Sequence, residues 1–279
     1  MVAAGLPYST GQIFDATDAN FCAGFGDGTD GAFSETAATT TNLVQGTVYQ
    51  YTSFNLGASH TISAVSTSTK PIIILVSGNA TINGKIDLSG KGSPSSYDTT
   101  TEHKWGTIGG AGGGNDGGEA GIKGLSFMNF AFNQKSFIMN GTSGGAGNTG
   151  DRAGGGGGAS VDNSGTAGAG GAGGGSGGGG AGGGGGCSIY MLVGGTLNLG
   201  AASSIDVSGA NGETPADGAG GGGGGAGDII IIHKGTKTDS GVTTDVTAGT
   251  GGTGQGSAGD GGAGGAGNER ILDWSAVLF

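Results

Sequence analysis

The sequence predicts an all-β, partly irregular fold with essentially no α-helix. It predicts a parallel β-solenoid-like N-terminal part and a sandwich of packed polyglycine II helices formed by the glycine-rich tracts. Two observations lead to this prediction. A strand-forming phrase recurs along the chain, and 74 of the 279 residues are glycine. The glycines are unevenly spread, with 13 in residues 1–107 and 61 in residues 108–279, so composition divides the chain near residue 107.

The recurring phrase predicts the solenoid-like part. Its strong copies cover residues 71–92, 187–212 and 228–252, and a looser copy covers 46–66. Each strong copy has an apolar run, then a turn containing glycine, then a short step in which an Asp is flanked by hydrophobic residues. Short runs of this kind bounded by Gly and Asn are typical of strands. One such unit cannot bury its apolar face alone, so the repetition favours stacked coils.

An aspartate occupies the same place in each strong copy, as Asp87, Asp206 and Asp245. We expect these three side chains to cap equivalent turns, because a carboxylate accepts hydrogen bonds from the amides of a following turn. A column of calcium ligands is the alternative. Calcium takes about six to eight oxygen ligands, and each coil offers one Asp, so the capping role is favoured. We expect no metal site and no cofactor.

The glycine-rich tracts lie at residues 109–121, 141–160, 165–186, 209–227 and 249–267. Ordering glycine is costly, so flexible linkers are one interpretation. The other is a lattice of extended left-handed helices with three residues per turn, whose outward-pointing amides and carbonyls pair between neighbours. The lattice is favoured because the tracts lack the Lys, Glu, Pro and Gln that enrich disordered segments. In addition, the pure-glycine tracts run directly into strand-forming residues.

These patterns divide the chain into three regions. Residues 1–92 are predicted to form an N-terminal β module that holds the first coils and attaches the protein. Residues 93–270 are predicted to form a glycine-rich polyglycine II and β-solenoid body with exposed loops, and residues 271–279 an apolar C-terminal cap. Cys22 and Cys187 both lie beside apolar residues and are expected to be buried thiols. A disulfide between them is the alternative.

The charge and hydropathy of the chain argue against several partners. The net charge is −11 and the ten Lys and Arg residues form no cluster, so we expect no nucleic acid. The longest apolar run, residues 71–76, is too short to span a bilayer, so we expect no membrane insertion. The N-terminus lacks the basic start and apolar core of a signal peptide, which predicts a protein made in the cytoplasm without export by this route.

The sequence motifs of the chain and their order resemble those of glycine-rich bacteriophage virion surface proteins. The passages "GFGDGTDGAFSET" (24–36) and "YQYTSFNLGASHTISAV" (49–65) are similar to an opening module common in such proteins. The alternation of glycine tracts with variable segments resembles tail-fibre tip adhesins with packed polyglycine II helices. This resemblance implies a location on the virion surface. It implies two kinds of partner, namely a bacterial surface protein or glycan and other virion proteins of the fibre or capsid.

The resemblance also implies that variable loops between glycine tracts contact the receptor. Our candidates in the first loop are Tyr97, His103 and Trp105, which flank a polar segment, and aromatic side chains are effective anchors on protein or glycan surfaces. A second, smaller loop contributes the candidates Asn211, Glu213 and Pro215. The aromatic segment 122–141 is expected to form a small satellite core instead.

The sequence offers no argument for an enzyme. The three histidines, His60, His103 and His233, stand far apart, and no Ser/His/Asp or paired-carboxylate arrangement can be argued. Two other functions stay open beside the adhesin. One is a capsid decoration or head-fibre protein with no specific receptor. The other is an ice-binding or cell-surface scaffold, which regularly spaced Thr or Ala on one flat face would favour.

Overall fold

The structure is a computed structural model that describes residues 25–65, 71–91, 182–216 and 218–274. The secondary-structure elements in these ranges are all β-strands. No helix within them is long and apolar enough to cross a membrane. The strands are β1 (Ala32–Glu35), β2 (Thr40–Val44), β3 (Val48–Tyr51), β4 (Ser53–Leu56), β5 (Thr61–Val65), β6 (Ile72–Val76), β7 (Ala80–Ile82), β8 (Lys85–Asp87), β9 (Ile189–Val193), β10 (Leu197–Leu199), β11 (Ser204–Asp206), β12 (Ile229–His233), β13 (Lys237–Asp239), β14 (Thr243–Asp245) and β15 (Glu269–Asp273).

The fifteen strands form three five-stranded parallel sheets. Sheet 1 contains β1, β4, β7, β10 and β13, sheet 2 contains β2, β5, β8, β11 and β14, and sheet 3 contains β3, β6, β9, β12 and β15. Every third strand joins the same sheet, so three consecutive strands make one coil, from coil 1 (β1–β3) to coil 5 (β13–β15). This is a β-solenoid-like fold, as the repeated phrase predicts.

The stack of coils continues past residue 92, into the region that holds the second and third strong copies of the repeat. Strands on the two sides of residue 92 pair directly, β6 with β9, β7 with β10 and β8 with β11. Residues 271–273, predicted as part of an apolar cap, belong to β15, and Trp274 beside them is buried. Residues 275–279 lie outside the described residues.

One hydrophobic core runs through the stack. In sheet 2, Ile62, Ile86 and Ile205 lie side by side in consecutive coils, and none of the three is exposed. Their neighbours along each strand are partly or fully exposed, which is the alternation of a sheet with one face inside and one face in solvent. Equivalent positions of successive coils therefore supply the packing partner that a single coil lacks.

Sheet 3 differs because its three central strands, β6, β9 and β12, are buried on both faces. All five residues of β6, β9 and β12 are buried, which accounts for the unbroken apolar runs in the sequence. Ile74 and Ile231 point into the core of the stack, whereas Tyr190 lies on the outer face and is 1% exposed. The aromatic rings of Phe25 and Trp274 also pack edge to face, with centroids 5.3 Å apart.

Coil 5 differs from the other coils by its polarity. Three of its residues align with core residues of coil 4, the pairs being Lys237 with Leu197, Asp239 with Leu199 and Glu269 with Ile229. Charged side chains thus replace apolar ones where the stack of described strands ends. Such charges discourage the pairing of a further strand with this edge.

Candidate functional site

Three long excursions leave the stack at one corner, between sheet 2 and sheet 3. Excursion 1 follows β8 and covers residues 88–188, of which 88–91 and 182–188 are described. Excursion 2 covers residues 207–228 and excursion 3 covers 246–268. Coil 1 has no insertion here, since three residues alone join β2 to β3. The glycine-rich sequence of the described part is therefore concentrated on one side of the molecule.

Asp87, Asp206 and Asp245 stand side by side where the three excursions begin. In each, Oδ1 accepts hydrogen bonds from the main-chain N–H and from the hydroxyl of the residue two positions later. The donors are Ser89, Ser208 and Thr247. Their main-chain N atoms lie 3.4, 3.0 and 2.8 Å from Oδ1 of the aspartate, and their hydroxyl oxygens lie 2.9, 2.6 and 2.6 Å from it. The three carboxylates thus hold the turn at the base of each excursion.

Asp87 has an additional partner, because its Oδ2 lies 2.9 Å from Lys85 Nζ. Burial by itself raises the pKa of Asp87, but the hydrogen bonds from Lys85 and Ser89 lower it by more, so the pKa lies below its ordinary value. Within the described residues, no three His, Cys, Asp or Glu side chains form a group that could hold a metal ion.

Excursions 2 and 3 are each folded back on themselves. In excursion 2 the outgoing segment is 207–213 and the return segment is 219–227. In excursion 3 the outgoing segment is 246–253 and the return segment is 259–267. The two segments run antiparallel and are joined through every third residue of the return segment. In excursion 2 the N–H groups of Gly221, Gly224 and Gly227 donate to the carbonyls of Glu213, Ala210 and Val207, at 3.0, 2.9 and 2.8 Å. In excursion 3 the N–H groups of Gly261, Gly264 and Gly267 donate to the carbonyls of Gly252, Gly249 and Val246, at 2.8, 2.8 and 2.9 Å.

Neighbouring excursions are joined in the same way, now between parallel return segments. Again every third residue donates, and the three positions of the repeat face three different neighbours. Between excursions 2 and 3, the N–H groups of Gly220, Gly223 and Ala226 donate to the carbonyls of Gly259, Gly262 and Gly265, at 3.0, 2.8 and 2.8 Å. Between excursions 1 and 2, the N–H groups of Gly183 and Gly186 donate to the carbonyls of Gly222 and Gly225, at 2.8 and 2.9 Å. We call this network of bonded segments the glycine lattice.

Burial in the lattice follows the same interval of three. The central return segment, 219–227, is buried at every position. In return segment 259–267, Gly259, Gly262 and Gly265 are buried, whereas Asp260, Ala263 and Ala266 are exposed. Side chains are therefore found on the outer side of the edge segment, while the central segment contains only glycine and two alanines.

Glycine is required in the centre for a steric reason. A Cβ atom added to Gly224 would overlap with the carbonyl oxygen of Gly184 in the neighbouring return segment. The same carbonyl accepts a hydrogen bond from the N–H of Ala210, at 2.8 Å, so it cannot move away freely. The close approach that allows main-chain groups to pair thus excludes every larger residue at position 224.

The excursions end in two tips, residues 214–218 and 254–258, which lie next to each other. The N–H of Gln255 donates to the carbonyl of Gly218, at 2.9 Å. Gly218 and Gly256 have positive φ angles of 115° and 66°, which glycine adopts at little cost where the chain must reverse direction.

The structure brings the second group of candidate receptor contacts to the tip of excursion 2. Asn211 and Glu213 are exposed and Pro215 is partly exposed. The side-chain Oδ1 of Asn211 accepts a hydrogen bond from the N–H of Thr250, at 2.8 Å. Tyr97, His103 and Trp105 lie outside the described residues, as does the aromatic segment 122–141.

Sequence analysis overlooked the threonines of excursion 3. Thr247, Thr250 and Thr253 are all exposed, and Gly249 and Gly252 between them are buried. The signal is present in the sequence as "TAGTGGT", in which threonine recurs at every third residue. This interval marks the outer side of a lattice segment.

The two histidines and the one cysteine among the described residues are buried in the stack. His60 is buried, and its Nδ1 and Nε2 lie 3.1 and 2.9 Å from the hydroxyls of Thr39 and Thr41. His233 is also buried, with Nδ1 2.7 Å from the carbonyl of Gly235. Cys187 is a buried free thiol whose pKa is raised to about 11 by burial, and Cys22 lies outside the described residues.

In comparisons with known proteins, no family model, no curated protein and no solved structure matches this chain.

Proposed function

We propose that this chain is a non-enzymatic bacteriophage virion surface protein, namely a tail-fibre adhesin. It binds a bacterial surface protein or glycan through loops that a polyglycine II scaffold presents. Other virion proteins of the fibre attach it to the particle. The bacteriophage origin rests on the resemblance of residues 24–36 and 49–65 described above. The display mechanism rests on the geometry of the excursions.

The observation that carries the display mechanism is the three-residue interval of hydrogen bonds in the lattice. A polyglycine II helix has three residues per turn and no internal hydrogen bonds, so each turn offers one residue to each of three neighbours. The return segment 219–227 donates to outgoing segment 207–213 and to return segment 259–267, and it accepts from the return segment of excursion 1 and from outgoing segment 246–253. This pattern supports the assignment of polyglycine II conformation to the lattice segments.

A bonded lattice suits loop display because it holds short loops without a core of their own. The tips 214–218 and 254–258 contain no buried large hydrophobic side chain, yet they end on segments whose main chains are bonded on several sides. Loop residues on such a support are free to vary without loss of the fold. Binding surfaces are commonly built from loops on a rigid scaffold for this reason.

Binding of the purified full chain to bacteria tests the proposal. The protein is labelled with a fluorophore and mixed with a panel of bacterial strains. Two variants in or directly beside the tip of excursion 2, Glu213→Gln and Pro215→Ala, are compared with Thr238→Ala on the far sheet 1. Strain-selective binding that the tip variants weaken and Thr238→Ala does not supports an adhesin. Binding to no strain, or equal binding by all variants, contradicts it and favours a capsid decoration or head-fibre protein.

One observation favours a second function, an ice-binding scaffold. Thr247, Thr250 and Thr253 form an exposed row with a regular interval of three residues, about 9 Å at the rise of a polyglycine II helix. Thermal hysteresis of the purified protein distinguishes the two functions. A freezing-point depression that Thr250→Val and Thr253→Val alter supports ice binding, and its absence together with strain-selective adhesion leaves the adhesin.

A further inference from the structure

We infer that Asn211 and Thr214 are positioning residues that lock the tips of excursions 2 and 3 into one unit, so that two loops form a single recognition surface. The lock itself is independent of the proposed function. Its consequence for receptor binding rests on that function.

The Asn211 side chain acts as part of a two-point clamp on Thr250. Its Oδ1 accepts the N–H of Thr250 at 2.8 Å, and the N–H of the next residue, Gly212, donates to the carbonyl of Thr250 at 2.8 Å. Thr250 is therefore held through its donor and its acceptor, one by a side chain and one by the main chain. A side-chain amide here takes the place of a neighbouring main-chain carbonyl.

The same contact recurs one turn of three residues further toward the tip. Thr214 Oγ1 accepts the N–H of Thr253, at 2.9 Å. Within excursion 3, Asp260 Oδ1 then accepts the N–H of Gly254, at 2.8 Å. The N–H groups of Thr250, Thr253 and Gly254 therefore all donate to side-chain acceptors. The contact from Gln255 to Gly218 completes the connection between the two tips.

The register of this lock equals the register of the stack. Asn211 and Thr250 are separated by 39 residues, as are Thr214 and Thr253. Asp206 and Asp245, paired in sheet 2, have the same separation. Together with the main-chain bond from Gly212 to Thr250, the two side chains therefore carry the alignment of the coils outward to the tips, beyond the last paired strand residues.

The position of Asn211 and Thr214 explains why side chains are needed there. Both residues are exposed, and they lie on the outer side of outgoing segment 207–213 and its extension. On this side the lattice ends in solvent, and a main-chain donor has no further glycine segment to bond to. Water could satisfy the donor, but water would not fix the register between two excursions.

In this arrangement Asn211 acts through the loops and not by touching the receptor. Its oxygen is engaged by Thr250, whereas Ala216 and Gln255 in the two tips remain exposed for contact. A receptor would then meet both tips together, at a spacing that the lock determines.

Amide hydrogen exchange measured by NMR on the full chain tests the lock directly. Asn211→Ala removes the acceptor, whereas Asn211→Asp retains an oxygen in the same place; Thr214→Val and Thr214→Ser form the matching pair for Thr253. We expect exchange at Thr250 to rise about tenfold in Asn211→Ala and to stay near the original rate in Asn211→Asp. The amide of Ile231 in β12 reports whether the fold is intact.

Binding to the bacterial strain that the unaltered chain recognises tests the consequence. We expect Asn211→Ala to bind about tenfold more weakly and Asn211→Asp to bind nearly as the parent. Unchanged exchange at Thr250 in Asn211→Ala, with Ile231 still protected, overturns the lock. Faster exchange with unaltered binding overturns the positioning role. If the parent protein binds no strain, the proposed function fails, and the exchange experiment still decides the lock.

Discussion

The β stack and the glycine lattice are two cores within one chain, and they are built in opposite ways. In the stack, side chains such as Ile86 and Ile231 fill the interior, and the main chain pairs around them in three sheets. In the lattice, the central segment 219–227 is equally buried, but Ala219 and Ala226 are its only residues with a side chain. Main-chain hydrogen bonds replace hydrophobic side chains as the material of that core.

The difference indicates which kind of substitution destabilises each core. A side-chain core loses stability when atoms are removed, because the lost apolar contacts leave a cavity. A main-chain core loses stability when atoms are added, because its segments can pair only while they remain in close contact. Substitutions that shorten side chains in the stack or lengthen them in the lattice therefore test the comparison from both sides.

The largest expected effect is the loss of a core side chain from the stack. Ile231→Ala is expected to lower the free energy of unfolding by about 3–4 kcal/mol, since Ile231 is fully buried between Met191 and Ile271 of the adjacent coils. Urea unfolding followed by far-UV circular dichroism measures it. The matched control is Val65→Ala on a 40% exposed side chain, expected to cost less than about 0.5 kcal/mol. Equal costs for the two variants would mean that the stack has no specific core at Ile231.

The next effect is the addition of one methyl group to the lattice. Gly224→Ala is expected to cost about 2–3 kcal/mol, because its Cβ would overlap with the Gly184 carbonyl. Ala263→Ser adds one atom at an exposed lattice position and serves as the control, with little expected change. Urea unfolding and amide exchange of residues 219–227 report the result. If Gly224→Ala were as harmless as Ala263→Ser, the close packing of the lattice would be refuted.

The stack was predictable from sequence because side chains carry its signal. The apolar runs and the recurring Asp step specify strands and their equivalence, so the relation between Asp87, Asp206 and Asp245 followed from spacing alone. The repeated motif predicted coils on both sides of residue 92, and β6 pairs directly with β9 across the long insertion. The insertion itself gives no local signal for this pairing, so the equivalence of the repeats is what indicates it.

The lattice was only partly predictable, for a physical reason. Glycine has no side chain to indicate which neighbour a segment meets, so the tracts do not specify their own register. The informative residues are the exceptions, such as Thr250 and Ala263, which mark the outer side at every third position. The contacts made by Asn211 depended on this register and could not be derived from its loop.

A smaller effect is expected at the corner where the stack meets the lattice. Asp206→Ala removes the acceptor of two hydrogen bonds from Ser208 and is expected to cost about 1 kcal/mol. Asp206→Asn keeps an oxygen in the same place and should cost less than half as much. Thermal unfolding of the three proteins provides the comparison. Equal costs for the Asn and Ala variants, which both lack the charge but differ in the acceptor oxygen, would show that charge, and not turn capping, is what Asp206 supplies.

The smallest expected effect is the loss of stability at low pH that involves Asp87, at the corresponding corner of coil 3. The pKa of Asp87 is depressed in the folded chain because the hydrogen bonds from Lys85 and Ser89 outweigh the effect of burial. A depressed carboxyl pKa contributes stability above the unfolded value of about 4, and this contribution is lost as the pH falls through the folded pKa. The side chain of Asp87 is 32% exposed, so solvent screening keeps the gain below about 1 kcal/mol.

Asp87→Asn should therefore melt below the parent protein at pH 6, with the gap closing as the pH is lowered from 5 to 2. Lys85→Gln removes one of the two donors that hold the pKa down, so its acid-induced loss should begin at a higher pH than that of the parent. Differential scanning calorimetry across this pH range measures both shifts. A gap between Asp87→Asn and the parent that stays constant from pH 6 to pH 2 would assign the contribution of Asp87 to hydrogen bonding that is independent of its charge. The corner would then resemble the lattice beside it, where uncharged acceptors hold the main chain.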